Sequence, residues 1–157
     1  MIKSIGVIGA GQMGNGIAHV SAIGGYDVYM YDIAAERVEA GLATINGNLA
    51  RQVSKGAITE EQRQIALGRI HAAKDYDGIG HCDLIIEAAT ENEETKRKIF
   101  TGLCPHLKPE TMLASNTSSI SITRLASNTD RPERFIGIHF MNPVPVMQLV
   151  ELIRGIA

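Results

Sequence analysis

A doubly wound α/β fold, with a mainly parallel sheet and helices on both faces, is the class this sequence predicts. Three observations lead there. Short apolar runs of strand length alternate with longer stretches at helical spacing, glycine and capping signals fall between them, and no internal repeat or low-complexity tract breaks the pattern. Ile5 to Ile8 reads as a buried first strand. From Gln12 the apolar positions Met13, Ile17, Val20 and Ile23 recur at helical spacing, and Gly24-Gly25 ends that helix. Val28 to Tyr31 is the second strand. Val38, Leu42, Ile45, Leu49 and Val53 then mark a long amphipathic helix stopped at Gly56. Thr59-Glu60-Glu61-Gln62 has the capping-box pattern for a short helix closed by Gly68. Ile70 to Ala72 is a third strand and Asp83 to Ala88 a fourth. A helix carrying Ile99, Phe100 and Leu103 follows, then a strand from Met112 to Ser115. A short helix from Ile120 to Ala126 leads into the strand Phe135 to Phe140. Strands separated by helices make parallel βαβ units. Asn142-Pro143-Val144-Pro145 is neither helix nor central strand, because two prolines remove donors and fix φ.

Size and composition narrow the function. The chain has 157 residues, 15 Lys+Arg against 17 Asp+Glu and a net charge of −2. That is one domain, burying roughly 68–70% of its unfolded surface. A hydrophobic share of 45% with 20% charged residues excludes a disordered chain. The near-even charge balance argues against nucleic acid or an acidic membrane as the main partner. No apolar run reaches the ~18 residues of a membrane span. Cys82 and Cys104 fit neither a redox pair nor a zinc pattern, so a reducing cytoplasm is the expected setting. His19, His71, His81 and His106 show no ligand spacing, and no metal is expected.

Gly9-Ala10-Gly11-Gln12-Met13-Gly14 is a GxGxxG that follows a strand and opens a helix. Asp32 lies 18 positions beyond Gly14, at the end of the second strand. That context is the dinucleotide fingerprint of a Rossmann-type fold. Gly9 permits the tight turn, Gly11 lets the backbone approach a pyrophosphate, and Gly14 allows close packing of helix on strand. Asp32 accepts hydrogen bonds from the adenine-ribose hydroxyls and repels a 2′-phosphate, and Ile33 beside it carries no charge, so NAD is favoured over NADP. The bland reading is a structural turn with Asp32 capping the next helix.

Parallel sheets bind ligands at the carboxyl ends of their strands. The glycine loop, Asp32, Glu87 to Glu91, Asn116-Thr117-Ser118-Ser119 and His139 therefore converge on one edge. His139 is the acid–base candidate, since its ordinary pKa near ~6.5 suits proton transfer at neutral pH. Glu151, a carboxylate inside the apolar run Leu149 to Ile153, is costly unless paired and is the natural partner. The alternative is a histidine satisfied by backbone and a glutamate on an exposed strand face.

The glycine loop, Ser115-Asn116-Thr117-Ser118-Ser119, the run His139 to Met147 (HFMNPVPVM) and Leu149-Val150-Glu151 together resemble the L-3-hydroxyacyl-CoA dehydrogenases, and in particular their bacterial 3-hydroxybutyryl-CoA branch. The resemblance covers nearly all 157 residues. It implies NAD as cofactor and a 3-hydroxyacyl-CoA or 3-ketoacyl-CoA as substrate. By position it makes His139 the catalytic base, Glu151 the carboxylate paired with it, and Ser118 a donor to the substrate oxygen. Ser118 could equally cap the helix at Ile120. Asn116 and Asn142 match residues that hold the nicotinamide ribose and ring, although Asn142 also suits a turn. Glu91 and Lys96 match cofactor-side positions, with an acidic helix start as the other reading of Glu91. Lys55, with Arg51 a turn earlier, matches a lysine near the CoA phosphates, and a lysine in a last helical turn also suits the helix dipole.

The family carries a second, mainly helical domain, so residues 1–157 correspond to the NAD-binding domain alone. Self-association through the apolar stretch Met147 to Ile153 is a further expectation. Two other functions fit the same residues: a catalytically silent NAD-binding module, and a dehydrogenase of the gulonate and lambda-crystallin branch, which keeps the His–Glu pair but needs no CoA site.

Overall fold

The computed structural model describes residues 1–141, 144 and 150–155, excluding the side chains of Val150 and Glu151. Its elements are β1 (Ser4–Ile8), α1 (Gln12–Ile23), β2 (Asp27–Tyr31), α2 (Ala35–Ser54), α3 (Glu60–Gly68), β3 (Ile70–Ala72), β4 (Leu84–Glu87), α4 (Glu93–Leu103), β5 (Met112–Asn116), α5 (Ile122–Ala126), β6 (Phe135–Phe140) and β7 (Val150–Arg154). The strands form one sheet in the order β3-β2-β1-β4-β5-β6-β7. Every neighbouring pair is parallel except β6 and β7. The strand order reverses between β1 and β4, which puts the topological switch point there. Among the described residues no helix is long and apolar enough to cross a membrane.

Alternation along the strands builds two cores. Val7, Val28, Met30, Ile86 and Ala114 face the layer of α1, α2 and α3, where they meet Ile17, Ala18, Ile45 and Leu49. Ile8, Ile85, Leu113 and Phe135 face the other layer and pack on Phe100, Leu103 and Leu125. Phe100 and Phe135 meet edge to face, with ring centroids 4.9 Å apart. Each large apolar side chain closed off in this way contributes about 1.5–3 kcal/mol. Cys82 belongs to the second core, and burial pushes its thiol up to about 12, so it packs as a small apolar group.

Local chemistry sets the ends of the elements. The capping box at α3 is formed as expected: Gln62 N donates to Thr59 Oγ1 at 3.1 Å, and Thr59 N donates to Gln62 Oε1 at 2.8 Å. Strand β4 is shorter than the sequence suggests at both ends. Asp83, just before it, still exchanges backbone hydrogen bonds with Ser4 O and Met112 N, and its carboxylate accepts from Lys108 Nζ, Lys3 N and Ser4 N, contacts that hold it well below the usual carboxylate range. Ala88 still donates to Ile8 O at 2.8 Å, but the next amide, Ala89 N, turns back to the Glu87 carboxylate. The helix expected from Ile120 starts two residues later, at Ile122. Thr117 Oγ1 accepts from Ser119 N and Ile120 N and makes a turn there instead. Residues 142, 143 and 145–149 lie outside the described ones, and with them the apolar stretch from Met147 up to β7.

His19 couples α1 to α2. Its ring is buried and its Nε2 lies 2.8 Å from Gln52 Oε1. That bond makes Nε2 the donor, while Nδ1 has no hydrogen-bond partner among the described residues. Burial pulls the imidazole below its ordinary value, against a smaller opposing pull from Gln52. The unfolded chain therefore binds this proton more readily than the folded one. The contribution of neutral His19 is whole above the ordinary histidine value of ~6.5 and is lost as pH falls below it. Urea denaturation between pH 7.5 and 5.5 should show the midpoint falling with pH, and His19→Gln should flatten that fall.

Candidate active site

The glycine loop leaves β1 at the switch point. Gly9 has φ +101° and donates its N–H to Tyr31 O at 2.8 Å. A Cβ on Gly9 would lie 2.7 Å from Ala89 Cα, and one on Gly14 only 1.7 Å from Gly9 O. These two glycines are required by the chain's own packing. Gly11 is different: its backbone suits any residue, with φ −72°, and a Cβ there would meet nothing within 4 Å. The chain makes no use of that bare surface. It lies at the start of α1, whose first turn has neither a side-chain cap nor an acidic residue, so the free N–H groups and the positive helix end face an unhindered approach. A cradle open at Gly11 and closed at Gly9 and Gly14 fits a pyrophosphate.

Asp32, just past β2, ties this loop down. Its Oδ2 accepts from Ala10 N at 2.9 Å and its Oδ1 from Ala34 N at 3.0 Å. Ala34 is the N-cap of α2, so Asp32 both braces the loop and orders the start of that helix. Three cavities lie around the loop, two of them lined by Asp32 and all three by Arg37. One of about 310 Å³ runs between the glycine loop (Gly11, Gln12, Met13) and the ends of β4 and β5 (Ala88, Glu91, Asn116). A second, of about 240 Å³, lies beyond Asp32 between Tyr31, Ile33, Tyr76 and Ile99. The third and largest, about 650 Å³, opens between Ala10, Asn15 and the α2 residues Gly41, Thr44 and Asn48.

The far side of the edge is built by β5, β6 and β7. Glu91 precedes α4, which is capped by Asn92, and its Oε2 accepts from Thr117 Oγ1 at 3.0 Å and Ser119 Oγ at 3.1 Å. It therefore braces the loop after β5 rather than sitting in the helix's first turn. Asn116 Oδ1 accepts from Phe140 N at 3.1 Å, which commits the oxygen and leaves the amide NH₂ as donor. Ser118 stands exposed in the bend after β5. It is not the helix cap: Ser121 is, through its Oγ and Arg124 N. His139 sits half-buried near the end of β6, and the antiparallel register puts Glu151 directly opposite it.

Residues 4–157 match the family profile described as "3-hydroxyacyl-CoA dehydrogenase, NAD binding domain". The chain belongs to that family. NAD is accordingly the cofactor of this domain. A 3-hydroxybutyryl-CoA dehydrogenase of Bradyrhizobium diazoefficiens is 68% identical across all of this chain, which covers 54% of that protein. A 3-hydroxyadipyl-CoA dehydrogenase of Escherichia coli is 42% identical over 99% of the chain and 33% of its own length. Among solved structures, the (S)-3-hydroxybutyryl-CoA dehydrogenase of Ralstonia eutropha superposes with a TM-score of 0.96 at 49% identity, over 99% of this chain and 55% of that one. The chain spans about half the length of the 3-hydroxybutyryl-CoA dehydrogenases it matches.

Some expected residues are not brought to the cleft. Lys96 is fully buried. Its Nζ donates to Glu87 Oε1 at 2.5 Å and to Asn116 O at 3.1 Å, so it stands behind the cleft wall and not on it. Lys55, just past α2, is exposed and lines none of the three cavities. Arg51 donates to Asn48 Oδ1, and through Asn48 it borders the largest cavity. Asn142 lies outside the described residues.

One residue was missed. Arg37, in the first turn of α2, lines all three cavities, and nothing in its spacing marks it. Glu87 was expected at this edge but given no role of its own; its signal is a carboxylate ending a buried apolar run. The other histidines pack locally: His71 and His81 flank the Tyr29 ring, and His106 Nδ1 lies 2.6 Å from Asp77.

The two kinds of glycine separate in a direct test. Gly14→Ala forces a clash with backbone and should lower stability by about 1–3 kcal/mol or more. Gly11→Ala should leave the thermal midpoint unchanged while NADH affinity, read by fluorescence titration, falls at least about tenfold.

Proposed function

We propose that this chain serves the NAD-dependent oxidation of a 3-hydroxyacyl-CoA, such as 3-hydroxybutyryl-CoA, to the 3-ketoacyl-CoA, or the reverse reaction. The observation that carries this reading is the register of β6 on β7, which sets Glu151 opposite His139 at the same sheet edge as the glycine loop. Opposite residues of antiparallel strands share a face at pairing distance. NAD, when bound, takes up or returns the hydride at C3. Everything else is the work of the chain. His139 accepts the 3-hydroxyl proton in oxidation and returns it in reduction. The Glu151 carboxylate fixes the ring's orientation and stabilises the imidazolium, as a carboxylate does for any histidine base. The Ser118 hydroxyl, exposed in the bend after β5, donates to the substrate oxygen and holds it against His139. Asn116 offers its NH₂ group to the nicotinamide side, with Asn142 as a second holder, and Asp32 receives the adenosine ribose.

The groove of about 650 Å³ between the glycine loop and α2 gives the CoA moiety a path toward Arg51 and Lys55. Self-association at the β7 edge, where Leu152 is 69% exposed, and a cytoplasmic setting with both cysteines as free thiols complete the reading.

NADH oxidation by acetoacetyl-CoA, measured beside NADH fluorescence titration on the same sample, tests it. His139→Ala should cut turnover by about 10²–10⁴-fold and leave the NADH dissociation constant unchanged. Equal loss of both would make His139 a folding residue. NADH binding without turnover in this chain would mean that the cofactor half is intact and the chemistry needs the family's second domain; no turnover even with that domain supplied would reduce the function to a cofactor-binding module. Turnover of a free hydroxyacid as fast as of the CoA thioester would overturn the CoA assignment.

A further inference from the structure

We infer that Glu87 and Lys96 form the positioning pair of this site: buried behind the cleft wall, they set the Ala89 amide on one side and Asn116 on the other. The inference rests on the cofactor-site reading given above. Glu87 ends β4 and Lys96 lies on α4, and both side chains are wholly closed to solvent. The Glu87 carboxylate accepts from three donors. Oε1 accepts from Lys96 Nζ at 2.5 Å and from Ser115 Oγ at 2.7 Å, and Oε2 accepts from Ala89 N at 2.8 Å. Lys96 passes the constraint on by donating to Asn116 O at 3.1 Å. The Asn116 side chain in turn accepts from Phe140 N, the residue after His139. One carboxylate thus joins α4, the loop after β4, β5 and the end of β6. Ala89 borders the cavity beside the glycine loop and packs against Gly9, and Asn116 lines the same cavity. Neither Glu87 nor Lys96 touches that cavity, so both act through their neighbours.

Only a carboxylate serves here. Glutamine has one acceptor oxygen, so in either orientation its NH₂ would face donors already in place, either Ala89 N–H or the Ser115–Lys96 side. Glu87→Gln also strands the Lys96 charge in the core, which is strongly destabilising, whereas removing both charges together restores balance. The double variant Glu87→Gln/Lys96→Met therefore separates stability from positioning.

The experiment measures thermal midpoint, NADH affinity by fluorescence and the amide resonances of Ala89 and Phe140 in the full chain. Relative to Glu87→Gln alone, the double variant should regain most of the lost midpoint. Its NADH affinity should stay about tenfold weaker than wild type, the worth of one well-placed hydrogen bond. Both amide resonances should be displaced. If the double variant does not fold, Ser115→Ala carries the test. It removes one donor from Glu87 and should shift the Ala89 resonance and weaken NADH by about threefold. Wild-type affinity with unmoved Ala89 and Phe140 resonances, in whichever variant folds, overturns the inference. Failure of the wild-type chain to bind NADH overturns the cofactor-site reading instead.

Discussion

Two charges taken out of water cost several kcal/mol each, and their attraction repays this only when the remaining lone pairs and protons are also satisfied. At the carboxyl ends of β4 and β5 that condition is met, because Glu87 has two donors on Oε1 and one on Oε2, and Lys96 spends a further N–H on the Asn116 carbonyl. Apolar contacts alone would tolerate small slides of α4 against the sheet, since they are non-directional. The charged cluster does not, because its charge-assisted bonds are strong and directional. Its position is telling. The opposite edge of the sheet is stapled by an exposed network in which Asp83 gathers Lys3, Ser4 and Lys108, and that network can exchange with water. The ligand edge is fixed from within, where water cannot compete.

The course of the sheet was legible because strands buried on both faces and amphipathic helices leave different periods. Leu84-Ile85-Ile86 supplies both cores from adjacent residues, and Val38, Ile45 and Leu49 stay on one face of α2. The glycine loop was legible because two of its glycines answer to steric limits within the chain and the third does not. The resemblance gave Lys96 a cofactor-side position without its burial, and a lysine flanked by Thr95 and Arg97 carries no local sign of it. Yet Lys96, Ile99, Phe100 and Leu103 fall at i, i+3, i+4 and i+7, the spacing of one helix face, and Lys96, Phe100 and Leu103 are all buried. Read with Glu87 at the end of an apolar strand, that spacing already asks for a buried pair. Arg37 left no such trace. Its importance comes from lining three cavities at once, which no linear pattern encodes.

The antiparallel turn of the last strand completes the edge. In a parallel sheet every strand runs toward the ligand side, so each contributes only its final residues and the loop beyond. Strand β7 runs the other way and begins at that side, so the second residue of a strand rather than its last comes level with His139. A histidine on the last parallel strand can thus be faced by a residue held in a hydrogen-bonded ladder, not by one on a loop. The run from Val150 to Arg154 pairs with β6 along its length, and Glu151 is the single carboxylate within it. The register sets it across from His139, the one titratable residue among the paired positions of β6, whose others are Ile136, Gly137, Ile138 and Phe140.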